Sequence, residues 1–157
     1  MFPKNYNDAM KRIICAIDTK DIEVANRIIS EIDSKVIIKL GLEFYTSFGF
    51  AGISKLKKYN KKIKIFLDLK FHDIPNTVAQ AVHSCVLNIQ PHMLTLHASG
   101  GSKMLNAAVN NVAKIEKEEG IVKPLILAVT VFTSLSASHM LDLGWKDKVL
   151  DQVLNYA

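Results

Sequence analysis

Five short runs rich in β-branched and other apolar residues recur through this chain, and the segments between them carry helical periodicity. The runs are RIICAID (12–18), KVIIKL (35–40), KIKIFLDL (62–69), HMLTLHA (92–98) and PLILAVT (124–130). Between the first two, DIEVANRIISEI puts Ile22, Ala25, Ile28, Ile29 and Ile32 on one helical face, with Asp21 placed to cap it. NTVAQAVHSCVLNI does the same with Val78, Ala81, Val82, Cys85 and Ile89, and SKMLNAAVNNVAKIEKEEG predicts a long helix stopped by Gly120. Segment 43–58 reads as a less regular helix interrupted by Gly49 and Gly52, and KDKVLDQVLNYA as a last helical piece. Strands alternating with helices imply parallel strands joined by crossovers. Strands that are apolar almost throughout imply that both faces of the sheet are covered. The expected fold class is therefore α/β, as one domain over residues 1–157 with strand order 1-2-3-4-5.

The polar residues fall where such a sheet would use them. Asp18 closes the first run, Lys39 the second, Asp68 and Lys70 the third, His97 the fourth, and Thr130 to Ser134 follow the fifth. In a β/α barrel the carboxyl ends of the strands and the loops after them form the active face. The stretch IFLDLKFHDIPNT (65–77) is the most informative. Side chains alternate along a strand, so Asp68 and Lys70 share a face while Leu67 and Leu69 take the other. Lys39, Asp68, Lys70 and Asp73 together would make an array of alternating charge, and opposite charge beside an ammonium favours its charged form. Such an array suits a lysine that gives a proton to a developing carbanion.

Other features have plainer readings. Cys15 and Cys85 lie in apolar segments without metal or disulfide spacing and read as reduced, buried thiols. His72 and His97 read as packing or supporting groups, and His83, His92 and His139 as structural. Ser99, Gly100 and Gly101 form a turn that approaches a ligand or starts a helix. The net charge of +5 is carried largely by lysine, densest in KLKKYNKK (55–62), which reads as a solvated helix end. Nucleic-acid binding would call for arginines and interleaved aromatics, so no nucleic-acid partner is expected. No apolar run reaches the ~18–20 residues of a membrane span, and MFPKNYNDAMKR lacks a signal-peptide pattern. A cytoplasmic protein is expected, with no membrane partner and no metal. No glycine-rich dinucleotide fingerprint or P-loop follows any strand.

The stretch FLDLKFHDIPNT (66–77) resembles the signature of the orotidine 5′-phosphate decarboxylase family, with Asp-x-Lys-x-x-Asp-Ile-Pro-Asn-Thr intact. AID (16–18), IKLGLEFYTSFG (38–49), LHASGG (96–101) and LAVTVFTSL (127–135) match in order, so the resemblance runs through essentially the whole chain. Asp-x-Lys-x-x-Asp is shared with sugar-phosphate decarboxylases of the same superfamily, and IPNT favours the orotidylate branch. The resemblance implies a (β/α)8 TIM barrel and a cofactor-free decarboxylation of orotidine 5′-monophosphate to uridine 5′-monophosphate. It implies that Lys70 protonates C6 of the pyrimidine and that Asp68 lies against the departing carboxylate. Lys39 would join the charge network and contact the ribose, Asp18 a ribose or base-side group, and Thr133 the pyrimidine. Asp73, Ile74 and Thr77 would reach into a partner's site in a homodimer.

A β/α barrel typically takes ~250 residues and eight strands, whereas five strands are expected here. A glycine-arginine phosphate clamp is not found, and the only arginines are Arg12 and Arg27. Three arrangements account for this: a fragment of a longer protein, half of a split enzyme completed by a second chain, or a degenerate product without catalysis. In each, the outer strands lack neighbours, so marginal stability or covering by another chain is expected, with weakened orotidylate binding.

Overall fold

The computed structural model describes residues 3–145 and 148–157. Its elements run α1 (Tyr6–Met10), β1 (Ile14–Ile17), α2 (Ile22–Glu31), β2 (Ile37–Gly41), α3 (Leu42–Tyr59), β3 (Lys64–Phe71), α4 (Pro75–Ile89), β4 (Met93–His97), a 3-10 turn (Ala98–Gly100), α5 (Gly101–Glu119), β5 (Leu125–Val129), α6 (Ala137–Asp142) and α7 (Val149–Tyr156). Five parallel strands form one sheet in the order β1-β2-β3-β4-β5, as the alternation of runs predicts. Lys146 and Asp147, which open the last helical segment of the sequence reading, lie outside the described residues. No described helix is long and apolar enough to cross a membrane.

The register places the site. Ile37, Ile38, Lys39, Leu40 and Gly41 of β2 lie beside Lys64, Ile65, Phe66, Leu67 and Asp68 of β3. On the other side of β3, Leu67 pairs with Leu94, but the next matched pair is Phe71 with Leu96. Four residue steps on β3 thus face two on β4, and β3 bulges between them. At that bulge Lys70 takes a φ of 51°, a left-handed conformation that costs an L-residue about 1–2 kcal/mol.

One apolar core runs through the sheet and the helices beside it, built on Leu40, Phe44, Ile53, Leu67, Val82 and Leu94. Most residues of β2, β3 and β4 are buried, whereas β1 and β5 are half covered: Ile14 is 45% and Leu125 58% exposed. Asp21 caps α2, its Oδ1 accepting from the amides of Glu23 (2.8 Å) and Val24 (3.2 Å). Pro75 opens α4 at its first position, where a missing N–H costs nothing. The buried stripe of α4 includes Ala79 and Val86, with Ala81 only half-buried. Ser99 and Gly100 form the 3-10 turn, and Gly101 starts α5 at φ 77°.

Two expectations need correction. Gly49 does break α3, at φ 55° and ψ −153°, but Gly52 is helical and serves packing. A Cβ on Gly52 would stand 2.2 Å from Phe48 Cβ. The lysine block is also not wholly solvated. Lys55 bonds Glu23 at 2.7 Å, and the half-buried Lys57 donates from Nζ to the carbonyl of Ile89. Ile89 ends α4, where the helix dipole is negative. Burial there lowers the Lys57 pKa.

Gly52→Ala tests the close contact. It is expected to destabilise the protein by about 1–3 kcal/mol, read as a lower urea midpoint with unchanged slope. An unaltered midpoint would show that Phe48 as a whole shifts freely beside the break at Gly49.

Candidate active site

Parallel register and strand periodicity bring three charged side chains to one place. Lys39 lies beside Phe66, one pleat repeat short of Asp68, so its long side chain extends forward along the same face to reach the carboxylate. Lys39 Nζ stands 3.5 Å from Asp68 Oδ2, and Lys70 Nζ stands 2.9 Å from Asp68 Oδ1. The Thr95 hydroxyl of β4 donates to the same Oδ1 at 2.9 Å and accepts from the Lys70 amide at 2.9 Å. The Asp68 side chain is 12% exposed, and those of Lys39 and Lys70 are 24% and 30%.

Burial by itself pushes the Asp68 pKa up. The hydrogen bonds from Lys70 and Thr95, with the charges of Lys70 and Lys39, overcome it and hold the carboxyl below the usual carboxylate range. The site is therefore an ionised carboxylate shared by two lysine side chains. Asp18, at the end of β1, is exposed and turned toward this group. Its Oδ1 and Lys39 Nζ lie 3.6 and 3.8 Å from where a Cβ on Gly41 would sit.

The remaining predicted residues stand apart from the charged trio. Asp73 is exposed on the loop before α4, and its Oδ1 accepts from the amide of Ile74 at 2.6 Å. Lys39, Asp68 and Lys70 come together within one chain, and Asp73 does not join them, because β3 ends at Phe71 and the chain turns into α4. Ile74 is 66% exposed, and Thr77 is exposed in the first turn of α4. Thr133 is exposed on the loop after β5.

Beside the trio, the His72 and His97 rings lie 5.2 Å apart, and the edge of Phe132 meets His97 at 4.8 Å. His72, His97, Thr130, Phe132 and Trp145 help line a cavity of about 370 Å³ at this end of the sheet. Burial, then His72 and Lys70, lower the His97 pKa. A cavity of about 400 Å³ opens at the opposite end of the strands, lined in part by Lys64, His92 and Lys123, away from these groups. His83 bonds Asn111 at 3.0 Å, and His139 closes the cap of α6 with Ser136. Cys85 is buried, which pushes its thiol up to about 11, and Cys15 is half-buried; both are free.

Thr95 and Phe132 are the site neighbours that the sequence reading passed over. A signal for Thr95 was present: it is the lone hydroxyl inside the apolar run MLTLH, and a polar group buried there needs partners.

A family model described as orotidine 5′-phosphate decarboxylase / HUMPS family matches residues 11–157. The orotidine 5′-phosphate decarboxylase of Wolbachia sp. subsp. Brugia malayi is 43% identical over 150 residues, covering 94% of this chain and 62% of the relative. That of Ehrlichia chaffeensis is 38% identical over 143 residues, covering 90% and 58%. The crystal structure of orotidine 5′-phosphate decarboxylase from Lactobacillus acidophilus aligns with a TM-score of 0.81 at 34% identity, over 92% of this chain and 64% of that one. The chain spans about three-fifths of the length of these curated relatives.

The electrostatics predict acid behaviour. Asp68 has a folded pKa below its ordinary value of 3.8, so its contribution is present above pH 3.8 and is lost as pH falls through the folded value. Asp68→Asn leaves two ammonium groups without their shared counter-charge. It is expected to cost about 3–5 kcal/mol at pH 7, with the gap to wild type narrowing below pH 3.8 in thermal melts. A constant gap from pH 7 to pH 2 would contradict this assignment.

Proposed function

The chain belongs to the orotidine 5′-phosphate decarboxylase / HUMPS family, and we propose that its Lys39–Asp68–Lys70 cluster is the reacting end of a cofactor-free decarboxylase. The substrate is orotidine 5′-monophosphate, the product is uridine 5′-monophosphate, and the setting is cytoplasmic pyrimidine nucleotide synthesis. The observation that carries this reading is the 2.9 Å contact between Lys70 Nζ and Asp68 Oδ1, with Lys39 on the second oxygen.

In the proposed reaction the bond between C6 and the carboxylate breaks, carbon dioxide leaves, and the electron pair stays on C6. The Lys70 ammonium stands ready to stabilise that pair without reorienting solvent. It then transfers a proton to C6, leaving a neutral amine that water reprotonates. Asp68 fixes the ammonium and lies beside the departing carboxylate. Lys39 contacts the ribose, Asp18 a ribose or base-side group, and Thr133 the pyrimidine. Asp73, Ile74 and Thr77 reach the site of a second subunit in a homodimer. Their exposure on one chain supports that assignment, as does the separation of Asp73 from the trio.

A second reading rests on the outer strands. Ile14 on β1 and Leu125 on β5 leave apolar surface uncovered, and no arginine stands near a strand's carboxyl end to hold phosphate. Completion of the barrel, by more of the same polypeptide or by a second chain, then supplies the phosphate contacts. Binding energy from a remote phosphate can be used to reach the transition state, so the uncompleted chain would be catalytically impaired.

Turnover of orotidylate by the purified chain, alone and with any chain that completes the sheet, tests the reading. Lys70→Ala is expected to lower kcat/KM by at least ~10³-fold with an unchanged circular dichroism spectrum. An active Lys70→Ala protein removes the lysine from the proposed role. Shared sites make a separate prediction. Mixing inactive Lys70→Ala and Asp73→Asn subunits should restore about a quarter of wild-type activity, because half the dimers are mixed and each carries one intact site. No recovery on mixing would place Asp73 outside the partner's site.

A further inference from the structure

We propose that Thr95 is a positioning residue for this chemistry: one buried hydroxyl ties the backbone of Lys70 and the carboxylate of Asp68 together, and so sets where the Lys70 ammonium stands. The catalytic consequence rests on the decarboxylase reading above, whereas the positioning itself does not.

Between the pairs Leu67–Leu94 and Phe71–Leu96, β3 carries more residues than β4 can match. Thr95 lies on β4 inside that mismatch. At 3% exposure it is the one buried polar residue named among the described residues. Its hydroxyl takes up the Lys70 amide at 2.9 Å, where a regular ladder would have offered a backbone carbonyl.

The direction of each hydrogen bond follows from the groups present. An amide N–H can only donate, so Thr95 Oγ1 accepts from Lys70 N. An ionised carboxylate can only accept, so the hydroxyl gives its single proton to Asp68 Oδ1. The order amide, hydroxyl, carboxylate is thereby fixed, and the links in such a chain polarise one another. Lys70 is held at both ends against one oxygen: its ammonium reaches Asp68 Oδ1 directly, and its amide reaches it through Thr95.

This closure accounts for the left-handed φ of 51° at Lys70. A non-glycine residue stays in that region only where its surroundings impose it. The surroundings here are one hydroxyl and one carboxylate. Lys39 and Lys70 are the charged groups on Asp68, with His97 beyond Lys70. The lysine ammonium groups and the side chains of Leu94 and Leu96 offer the Lys70 amide no acceptor. Valine matches threonine in shape but provides none either. With valine at this position the Lys70 amide loses its hydroxyl acceptor, the local backbone relaxes, and the ammonium moves off its aim. Displacements of about an ångström at a reacting group cost on the order of 10²-fold in rate.

The test compares the whole chain with Thr95→Val and Thr95→Ser by NMR and by orotidylate kinetics. In Thr95→Val the Lys70 amide is expected to exchange at least ~10-fold faster and the Asp68 carboxyl carbon to titrate at higher pH. The expected kinetic split is a kcat lower by ~10–100-fold with KM changed less than about 3-fold. Thr95→Ser, which keeps the hydroxyl, is expected to restore the Asp68 titration and most of kcat. In the unmutated chain the Thr95 hydroxyl proton should give a resolved resonance with a cross-peak to the Lys70 amide, which tests the link if a variant fails to fold. A wild-type chain that does not turn over orotidylate either alone or with a chain that completes the sheet, while Thr95→Val still frees the amide and shifts Asp68, removes the decarboxylase reading and supports the positioning. Wild-type turnover with an unchanged Thr95→Val kcat overturns the catalytic part. An Asp68 titration and Lys70 amide exchange unmoved by Thr95→Val, or a hydroxyl exchanging like that of an exposed threonine, overturns the proposal altogether.

Discussion

The Asp68 carboxylate is the constraint on which the rest of the site depends. Two oxygens receive Lys39, Lys70 and Thr95 from three successive strands. Removing a carboxylate from water costs several kcal/mol unless donors replace the lost hydration, and here they do so from both sides. Two ammonium groups on one carboxylate also leave the cluster with one net positive charge. A neutral ion pair would have nothing left to offer an anionic substrate or a developing carbanion. The same arrangement fixes the register of β2 against β3, because a slip by one residue would send Lys39 to the other face of the sheet.

The larger architecture was legible in the sequence because its signals are local. Apolar runs and helical stripes need only a few neighbouring positions to be read, and they placed all five strands and their order, although β2 runs on to Gly41 and leaves Lys39 at its middle rather than its end. What escaped the reading depends on residues far apart in the chain. The Thr95–Lys70 link spans 25 positions and the Lys57–Ile89 link 32. The positive φ of Lys70 arises from a mismatch between two strands, which no single run displays. Asp73 belongs to a pattern that a single chain does not close. In the sequence it continues the charge pattern of Asp68 and Lys70, but the strand ends between them and the pattern is broken in space.

Support across the sheet is uneven, and its unevenness sorts the site residues by role. Asp68 and Lys70 project from β3, and Lys39 from β2, in the part of the sheet where each strand has a neighbour on either side. Asp18 follows β1 and Thr133 follows β5, the two outer strands, and both side chains are exposed. Asp68, Lys70 and Lys39 are thus held by the core, while Asp18 and Thr133 stand at the half-covered margins.

The histidines beside Lys70 fit the same electrostatic logic. Burial is the main reason that His97 titrates below its ordinary value of 6.5, and the nearby His72 and the Lys70 ammonium add to the effect. Each of these disfavours a further positive charge at that spot. The stability associated with neutral His97 is present above pH 6.5 and is lost as pH falls through the folded value. At neutral pH the ring therefore contributes shape and an aromatic contact with Phe132 rather than charge. A charged imidazole would add a third cation beside Lys39 and Lys70. Keeping the imidazole neutral leaves the carboxylate to Lys39 and Lys70, and leaves one excess positive charge on the cluster.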